Sequence, residues 1–413
     1  MRSVVWLVLL SVVAVVAATT LGRNDGLVSI YWGGWRTDLS LNLAVILLVG
    51  LCALFMLAWQ AVHVLTTLPR RAGEWRALRK ERAAQAELRT ALAEYFAARY
   101  SRAHKSAARA LAIQPDAPEL RGDREFAVLA QLLAAASLHR LQDRERRDAM
   151  LAETLPRQGR PAGRADDGAR LLAAEWALDD RDADAALRLL GELPPGVARR
   201  TQALRLRLRA ARAARQPMEA LRTARMLANH GAFSAMAARG LMRSLAFDAL
   251  DGAHDLQQLR KVWDQFDSAE RRDGFIAARA AQRAGSLVSP DTGRDWLRPY
   301  WERLGELEQD EREQVALALV AVVAGIGTDW LPRLEAALAR HAHEPAVVAA
   351  VGSAFAERQL WGKARKLLEQ AAGAAELPAA MRRRAWRQLA QLSRQEGDEA
   401  RARQCEQAAA ALD

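Results

Sequence analysis

The hydrophobic and polar positions divide the chain into an apolar N-terminus and a long amphipathic remainder. Two apolar runs, residues 4–21 and 41–65, contain no Asp, Glu, Lys or Arg. At about 1.5 Å per helical residue they reach roughly 27 and 37 Å, enough to cross a hydrocarbon core about 30 Å thick. The pattern predicts two transmembrane helices, with a cleaved signal peptide as the alternative for the first run.

Basic residues set the expected orientation of these spans. A dense basic cluster follows the second span, and its members are Arg70, Arg71, Arg76, Arg79, Lys80 and Arg82. Positive flanks stay in the cytoplasm, so we expect both termini inside and the loop 22–40 in the periplasm. Near anionic headgroups each Lys or Arg contributes on the order of 1 kcal/mol, which predicts anionic lipid as the partner of this cluster.

The outer loop is expected to stay close to the membrane. Its residues 26–32 are mostly apolar and predict a short strand or hairpin. Tyr31, Trp32 and Trp35 are aromatic residues of the kind that is enriched at the headgroup level. The loop therefore belongs with the spans in a membrane hairpin covering residues 1–68.

Beyond the spans, the pattern is helical throughout. Residues 69–99 predict a basic juxtamembrane and amphipathic linker helix that continues from the second span. From residue 100 onward, small residues recur at the spacing of a tetratricopeptide (TPR) unit, in which two helices cross closely. The clearest unit contains Val351, Gly352 and Phe355 in one helix and Ala364 and Leu368 in the next.

The predicted fold class is therefore all-α, with two N-terminal transmembrane helices followed by a TPR-like α-solenoid. The solenoid is expected over residues 100–413, with roughly seven to nine helical hairpins. Pro and Gly cluster over residues 155–168, where we expect a break between subdomains.

The charge pattern and the cysteine content argue against nucleic-acid binding and against a metal site. The formal net charge is +11, but Arg alternates with Asp and Glu along nearly every helix, as on a solvated helical surface. Nucleic-acid binding is therefore not predicted. The two cysteines, Cys52 and Cys405, are too few for a metal cluster, so no metal site is predicted.

Catalytic motifs are absent from the sequence. There is no G-x-G-x-x-G or Walker loop, and Gly325-Ile326-Gly327 is interpreted as a helix end. His341 and His343 are two residues apart, which places them about 200° apart on a helix and unable to chelate one metal. The chain is therefore not predicted to be an enzyme.

Two sets of residues are candidates for binding. His63 lies near the inner end of the second span, at a depth where it could ligate haem, and intramembrane ionisable residues are functional candidates. Arg205, Arg207, Arg209 and Arg212 crowd one predicted first helix of the solenoid. First helices line the groove of such solenoids, so this groove would favour acidic partner segments unless the Arg side chains only cover apolar surface.

Together these features resemble the HemY-type proteins of proteobacteria, inner-membrane TPR proteins linked to protohaem biosynthesis. The resemblance rests on the two spans, on Gly26-Leu-Val-Ser-Ile30, Asp38-Leu-Ser-Leu41 and Leu68-Pro69, and on residues 100–115. It implies a non-catalytic scaffold or regulator in late haem biosynthesis that holds pathway enzymes at the bacterial inner membrane. It implies no resident cofactor and no catalytic residues.

Two alternatives remain open at this stage. A haem or porphyrin carrier would use His63 or a groove histidine. A TPR adaptor for cell-envelope assembly would share the fold class, although such adaptors usually have one span and a C-terminal metal ribbon. The sequence leaves the oligomeric state and the identity of the protein partners open.

Overall fold

The computed structural model describes residues 13, 26–155 and 164–412. The chain divides into two compact units, Met1–Ala152 and Glu153–Asp413. The predicted first span, residues 4–21, lies outside the described residues except for Val13. The second predicted span is described, and only this one candidate membrane helix is found in the described part of the chain.

The N-terminal unit begins with an antiparallel β-hairpin. Strand β1 (Leu27–Trp32) pairs with strand β2 (Trp35–Ser40), with Leu27 opposite Ser40 and Trp32 opposite Trp35. Gly33 and Gly34 form the two-residue turn with φ values of +57° and +89°. A two-residue turn of this hand needs positive φ at both positions, which glycine adopts without steric cost.

A single helix of 56 residues, α1 (Leu41–Phe96), follows the hairpin directly. Its N-cap is Ser40, whose Oγ accepts a hydrogen bond from the Leu43 amide at 3.3 Å. The segment Leu41–Val62 has a mean hydropathy of 2.7, and none of it is buried. By length and composition, this segment can cross a membrane.

The distal part of α1 packs against the rest of the N-terminal unit. The rest of the unit consists of α2 (Tyr100–Ile113), a 3₁₀ turn (Gln114–Asp116), α3 (Arg124–Arg140) and α4 (Arg144–Thr154). The contact between α1 and α2 is formed by fully buried alanines, which are Ala84 and Ala91 on α1 and Ala107 and Ala110 on α2. Small side chains allow this close approach. Residues 100–152 share a compact unit with α1.

The C-terminal unit is a series of helices joined by short turns. The helices are α5 (Arg164–Asp179), α6 (Ala183–Gly191), α7 (Pro195–Ala198), α8 (Thr201–Ala213), α9 (Pro217–Asn229), α10 (Ala235–Asp251), α11 (Leu256–Gln265), α12 (Gly274–Ser286), α13 (Pro290–Glu302), α14 (Gln309–Ala321), α15 (Leu331–His341), α16 (Pro345–Glu357), α17 (Trp361–Gly373), α18 (Ala379–Gln395) and α19 (Glu399–Ala410). Short 3₁₀ turns lie at Glu270–Arg272, Leu304–Glu306 and Thr328–Trp330.

The core of this unit is built from successive first helices of the pairs. Helix α12 packs against α10 on one side and α14 on the other, and α14 in turn packs against α16. In α16, ten consecutive residues from Ala346 to Phe355 are buried. A Cβ added at Gly352 would lie 2.9 Å from the Leu367 Cβ on α17, so only glycine fits this helix crossing without a shift.

Many charged side chains connect one helical pair to the next. Arg333 Nε donates to Glu302 at 2.8 Å, 31 residues away, and Lys363 Nζ donates to Glu335 at 2.8 Å, 28 residues away. The sequence pattern indicated a merely solvated charged surface, and these pairs show a more specific arrangement. Exposed pairs of this kind contribute only roughly 0.2–1 kcal/mol each to stability. Their main effect is therefore to align one helical pair with the next.

The Gly325-Ile326-Gly327 segment lies just after α14, as its interpretation as a helix end requires. Gly325 has a φ of +69°. The loop is held by Arg294 of α13, which is 4% exposed and whose Nη1 donates to the carbonyl oxygens of Val322 and Ala324 at 2.6 and 2.5 Å. The segment therefore has a structural role.

Candidate binding site

A cavity of about 890 Å³ opens among helices α8 to α11 of the C-terminal unit. Ligand sites in proteins typically measure about 300–1,000 Å³, so the cavity is large enough for a small molecule or a short peptide segment. We call it the arginine cavity. Its charged wall is formed by Arg209 and Arg212 of α8 and by Arg215 in the turn after α8.

Local structure brings these three arginines together. Arg209 and Arg212 are three residues apart and therefore share one side of α8. Arg215 has a φ of +53°, and the turn ends where Pro217 starts α9. Proline is well tolerated at the first helical position because its missing N–H would have no helical partner there.

The cavity floor is apolar. It is formed by side chains from α9, α10 and α11, namely Pro217, Met218, Leu245, Ala249 and Val262. Leu245 is almost fully buried and belongs to the main hydrophobic core of the unit. The floor is thus a continuation of the packed core, which holds the charged wall in a defined position.

The arginines of the cavity wall differ in whether an acidic side chain pairs with them. Arg209 lies 3.7 Å from Asp179, whereas Arg212 and Arg215 make no ion pair within the described part of the chain. On the opposite side, Asp251 binds Arg279 with an Nε–Oδ1 distance of 2.9 Å, and this hydrogen bond holds the pKa of Arg279 above its ordinary value. Asp248 also lines the cavity. The wall therefore keeps positive charge that an acidic group could neutralise.

The sequence grouped Arg205, Arg207, Arg209 and Arg212, and the structure separates them. Arg209 and Arg212 line the arginine cavity. Arg207 instead donates through Nε to Glu219 at 2.8 Å, and Arg205 is exposed on α8 without lining the cavity. Residues two apart on a helix point in nearly opposite directions, which explains why Arg207 is on another face.

Several residues of the cavity were not predicted. Arg215, Asp248 and Gln258 come from a turn and from two further helices, so no sequence spacing connects them. Arg215 continues the run of arginines along α8, which is the one signal in the sequence that could have included it.

The basic cluster after the candidate span has mixed surroundings. Lys80 Nζ donates to Asp116 at 2.8 Å, and this hydrogen bond lowers the pKa of Asp116 below its ordinary value. The Arg79 guanidinium lies 5.5 Å from the centre of the Trp75 ring. The side chains of Arg70 and Arg71, and that of the haem candidate His63, lie outside the described residues.

Metal-binding geometry is not found in the described part of the chain, where no three His, Cys, Asp or Glu side chains converge. His341 Nδ1 instead lies 2.9 Å from Glu344 Oε1, and the rings of His341 and His343 are 6.4 Å apart. His341 therefore contributes, with Arg312 and Glu344, to a hydrogen-bond network at the start of α16.

The family-model match concerns the N-terminal unit. Residues 26–142 match the family model described as the HemY protein N-terminus. No curated protein matches the chain. Among solved structures, "Structure of Naa15/Naa10 bound to HypK-THB" is similar at 12% identity with a TM-score of 0.24, covering 81% of this chain and 61% of that chain.

Proposed function

We propose, from the match of residues 26–142 to the HemY N-terminal family model, that this chain is a HemY-type protein and a membrane-anchored scaffold in late haem biosynthesis. In this proposal it is not an enzyme. It crosses the bacterial inner membrane with two spans, keeps both termini in the cytoplasm and holds pathway enzymes near the membrane through a TPR-like stack of helices.

The observation that carries the proposal is the continuity of α1. One helix contains both the exposed apolar segment Leu41–Val62 and the alanines that pack against α2. A helix of this kind is stable in water only along its packed part, because no described residue covers the 22-residue apolar segment. The apolar segment therefore favours a bilayer, with the packed body outside it.

The length of α1 also divides the basic cluster. With a rise of about 1.5 Å per residue, Arg70 lies about 12 Å and Arg82 about 30 Å beyond Val62 along the helix axis. The headgroup layer extends about 5–7 Å beyond the hydrocarbon, and beyond that layer charges are screened within about 8 Å at physiological salt, so a charge acts on the bilayer only within roughly 15 Å of the hydrocarbon edge. We therefore assign the lipid contact to Arg70 and Arg71, while Lys80 holds Asp116 of the N-terminal unit.

The arginine cavity is the proposed docking point for a partner. Guanidinium groups recognise carboxylates with paired hydrogen bonds, and the apolar floor adds burial of a neighbouring side chain. We propose that a partner enzyme inserts an acidic segment against Arg212 and Arg215. Such a contact holds the partner without changing it chemically.

Cross-linking in native membranes tests this function. Captured proteins are identified for the wild type, for the double variant Arg212→Glu and Arg215→Glu, and for the control Arg205→Glu. We expect capture of haem-biosynthesis enzymes by the wild type and the control, and its loss in the double variant. Equal capture by all three, or capture of envelope-assembly proteins instead, contradicts the proposal.

A haem or porphyrin carrier is the second candidate from the sequence, and it depends on His63. The arginine cavity itself does not fit haem iron well, because no histidine or cysteine lines it. The test is an absorbance titration of the purified full chain and of His63→Ala with haem. A shifted Soret band that is lost in the variant would favour the carrier, and no shift in either protein would exclude it.

A further inference from the structure

The β-hairpin has two chemically different faces. Residues directly opposite each other in an antiparallel pair project to the same face, and successive pairs alternate. The polar face consists of the pairs Leu27–Ser40, Ser29–Asp38 and Tyr31–Arg36, and the apolar face consists of Val28–Leu39, Ile30–Thr37 and Trp32–Trp35. All charged residues of the two strands are thus on one face.

The polar face satisfies its charges internally. Ser29 Oγ donates to Asp38 Oδ1 at 2.5 Å, and Arg36 Nε donates to the same oxygen at 3.1 Å. These two hydrogen bonds, that of Ser29 first, hold the pKa of Asp38 below its ordinary value. The Arg36 guanidinium also lies 5.8 Å from the centre of the Tyr31 ring. This face therefore stays charged and suits water.

The apolar face lacks a cover in the described part of the chain. Trp32 and Trp35 are 84% and 80% exposed, and Ile30 is 49% exposed. The sheet has only these two strands among the described residues. An isolated two-stranded hairpin is at best marginally stable in water. The hairpin therefore needs a surface against which the apolar face can be buried.

The hairpin is attached to the candidate span at its base. Ser40 ends β2 and caps α1, and the Leu41 amide donates to the Gly26 carbonyl oxygen at 2.8 Å. Both strands thus meet where the apolar segment of α1 begins. Six residues per strand at about 3.3 Å each make the hairpin about 20 Å long, whereas the interfacial layer is only about 5–7 Å deep on each side.

These dimensions decide how the hairpin lies. If it stood upright, its tryptophans would be about 20 Å from the start of the span, in bulk water. If it lies flat, Trp32 and Trp35 remain in the interfacial layer, where tryptophan is enriched. We propose that the hairpin lies flat on the bilayer surface, with the apolar face against lipid and the polar face toward water. The inference rests on the proposed function only in that Leu41–Val62 crosses the bilayer.

Single labelled cysteines on the two faces test this inference. The full chain with Cys52→Ala and Cys405→Ala receives one cysteine, Ile30→Cys on the apolar face or Tyr31→Cys on the polar face. A second pair, Thr37→Cys and Arg36→Cys, repeats the comparison on β2. Each is labelled with a polarity-sensitive fluorophore and placed in nanodiscs of phosphatidylcholine and phosphatidylglycerol, which expose both membrane surfaces. Quenching by a lipid-attached nitroxide is compared with quenching by aqueous iodide.

We expect labels at positions 30 and 37 to lose most of their emission to the lipid nitroxide and little to iodide. Labels at positions 31 and 36 should show the reverse. Equal quenching on both faces, iodide quenching alone, or protection of the apolar face from both quenchers overturns the proposal. The last outcome would indicate a protein cover such as a second copy. In a separate Cys405→Ala chain that keeps Cys52, a label on Cys52 that the lipid nitroxide fails to quench shows instead that the anchoring itself is wrong.

Discussion

The two most apolar helical segments of the molecule have opposite surroundings. Leu41–Val62 of α1 has 22 residues, none of them buried, whereas Pro345–Glu357, which is α16, has 13 residues, ten of them buried in succession. Composition alone does not distinguish them. Length does, because 13 helical residues extend only about 20 Å and cannot cross a hydrocarbon core about 30 Å thick. The short helix is covered by neighbouring helices, and the long one has the length and the hydropathy to cross a bilayer.

The largest expected effect is on the exposed segment. In a chain shortened to residues 26–413, replacing Leu51 and Leu54 by Asp should remove the helix from the membrane. Each charge near the centre of a span costs about 2.5–3.5 kcal/mol on insertion scales. Alkaline carbonate extraction measures the result, with Leu51→Ala and Leu54→Ala as the control. A double Asp variant that remains in the membrane pellet contradicts the assignment of this segment to lipid.

A charge in the buried helix should have a different effect. Val351→Asp places a carboxylate at a position with 0% exposure, which we expect to cost about 4 kcal/mol or more and to unfold the C-terminal unit. Membrane retention should be unchanged. Circular dichroism during heating checks the stability, and extraction checks the anchoring. Loss of anchoring without loss of stability would mean that the roles of the two helices are reversed.

A smaller effect is expected at the crossing of α16 and α17. Gly352→Ala places a methyl group 2.9 Å from the Leu367 Cβ, and we expect a loss of about 1–3 kcal/mol from overpacking. Gly362→Ala on α17 is the matched control, since a Cβ there meets nothing within 4 Å and alanine favours helix by up to about 1 kcal/mol. Denaturant unfolding of the two variants measures their free energies of unfolding relative to the wild type. Equal effects at both positions would exclude a close crossing at Gly352.

The smallest expected effect depends on pH. Glu344 is the N-cap of α16 and accepts hydrogen bonds from Arg312 and His341, both at 2.9 Å. Burial raises the pKa of Glu344, but the two hydrogen bonds outweigh it, so the pKa lies below its ordinary value. A carboxylate with a lowered pKa stabilises the fold above its unfolded pKa and loses that effect as the pH falls.

Glu344→Gln should therefore destabilise the C-terminal unit by about 1–2 kcal/mol at neutral pH. The difference from wild type should disappear as the pH falls below about 4. Thermal unfolding followed across this pH range measures it. A difference that is constant with pH would show that the charge of Glu344 does not contribute to the stability of the unit.

Local features of the fold were predictable because short-range physics sets them. The start of α1 at Leu41 follows from the change from a polar loop to a continuous apolar run. The buried positions Val351 and Leu368 follow from the spacing of large and small residues in paired helices. The Gly33-Gly34 turn favours a hairpin because both residues accept positive φ.

The candidate site was only half predictable, for a physical reason. Arg209 and Arg212 share a helix face that the sequence defines, whereas Asp248 and Val262 reach the cavity only through the packing of separate helices. The hydrogen bond from Arg207 to Glu219 likewise depends on the position of α9, the helix that carries Glu219. Sequence periodicity describes one helix at a time, and a cavity among four helices requires their arrangement.

The most direct test of the account uses the native cysteine in the apolar segment. In inside-out inner-membrane vesicles carrying the full chain with Cys405→Ala, Cys52 is exposed to a membrane-impermeant maleimide before and after denaturation in detergent. A second variant without Cys52 carries Ala97→Cys at the exposed far end of the same helix. We expect Cys52 to react only after denaturation, whereas a cysteine at position 97 should react at once. Rapid modification of Cys52 in intact vesicles, or protection of position 97, would contradict a bilayer anchor that presents the helical body to the cytoplasm.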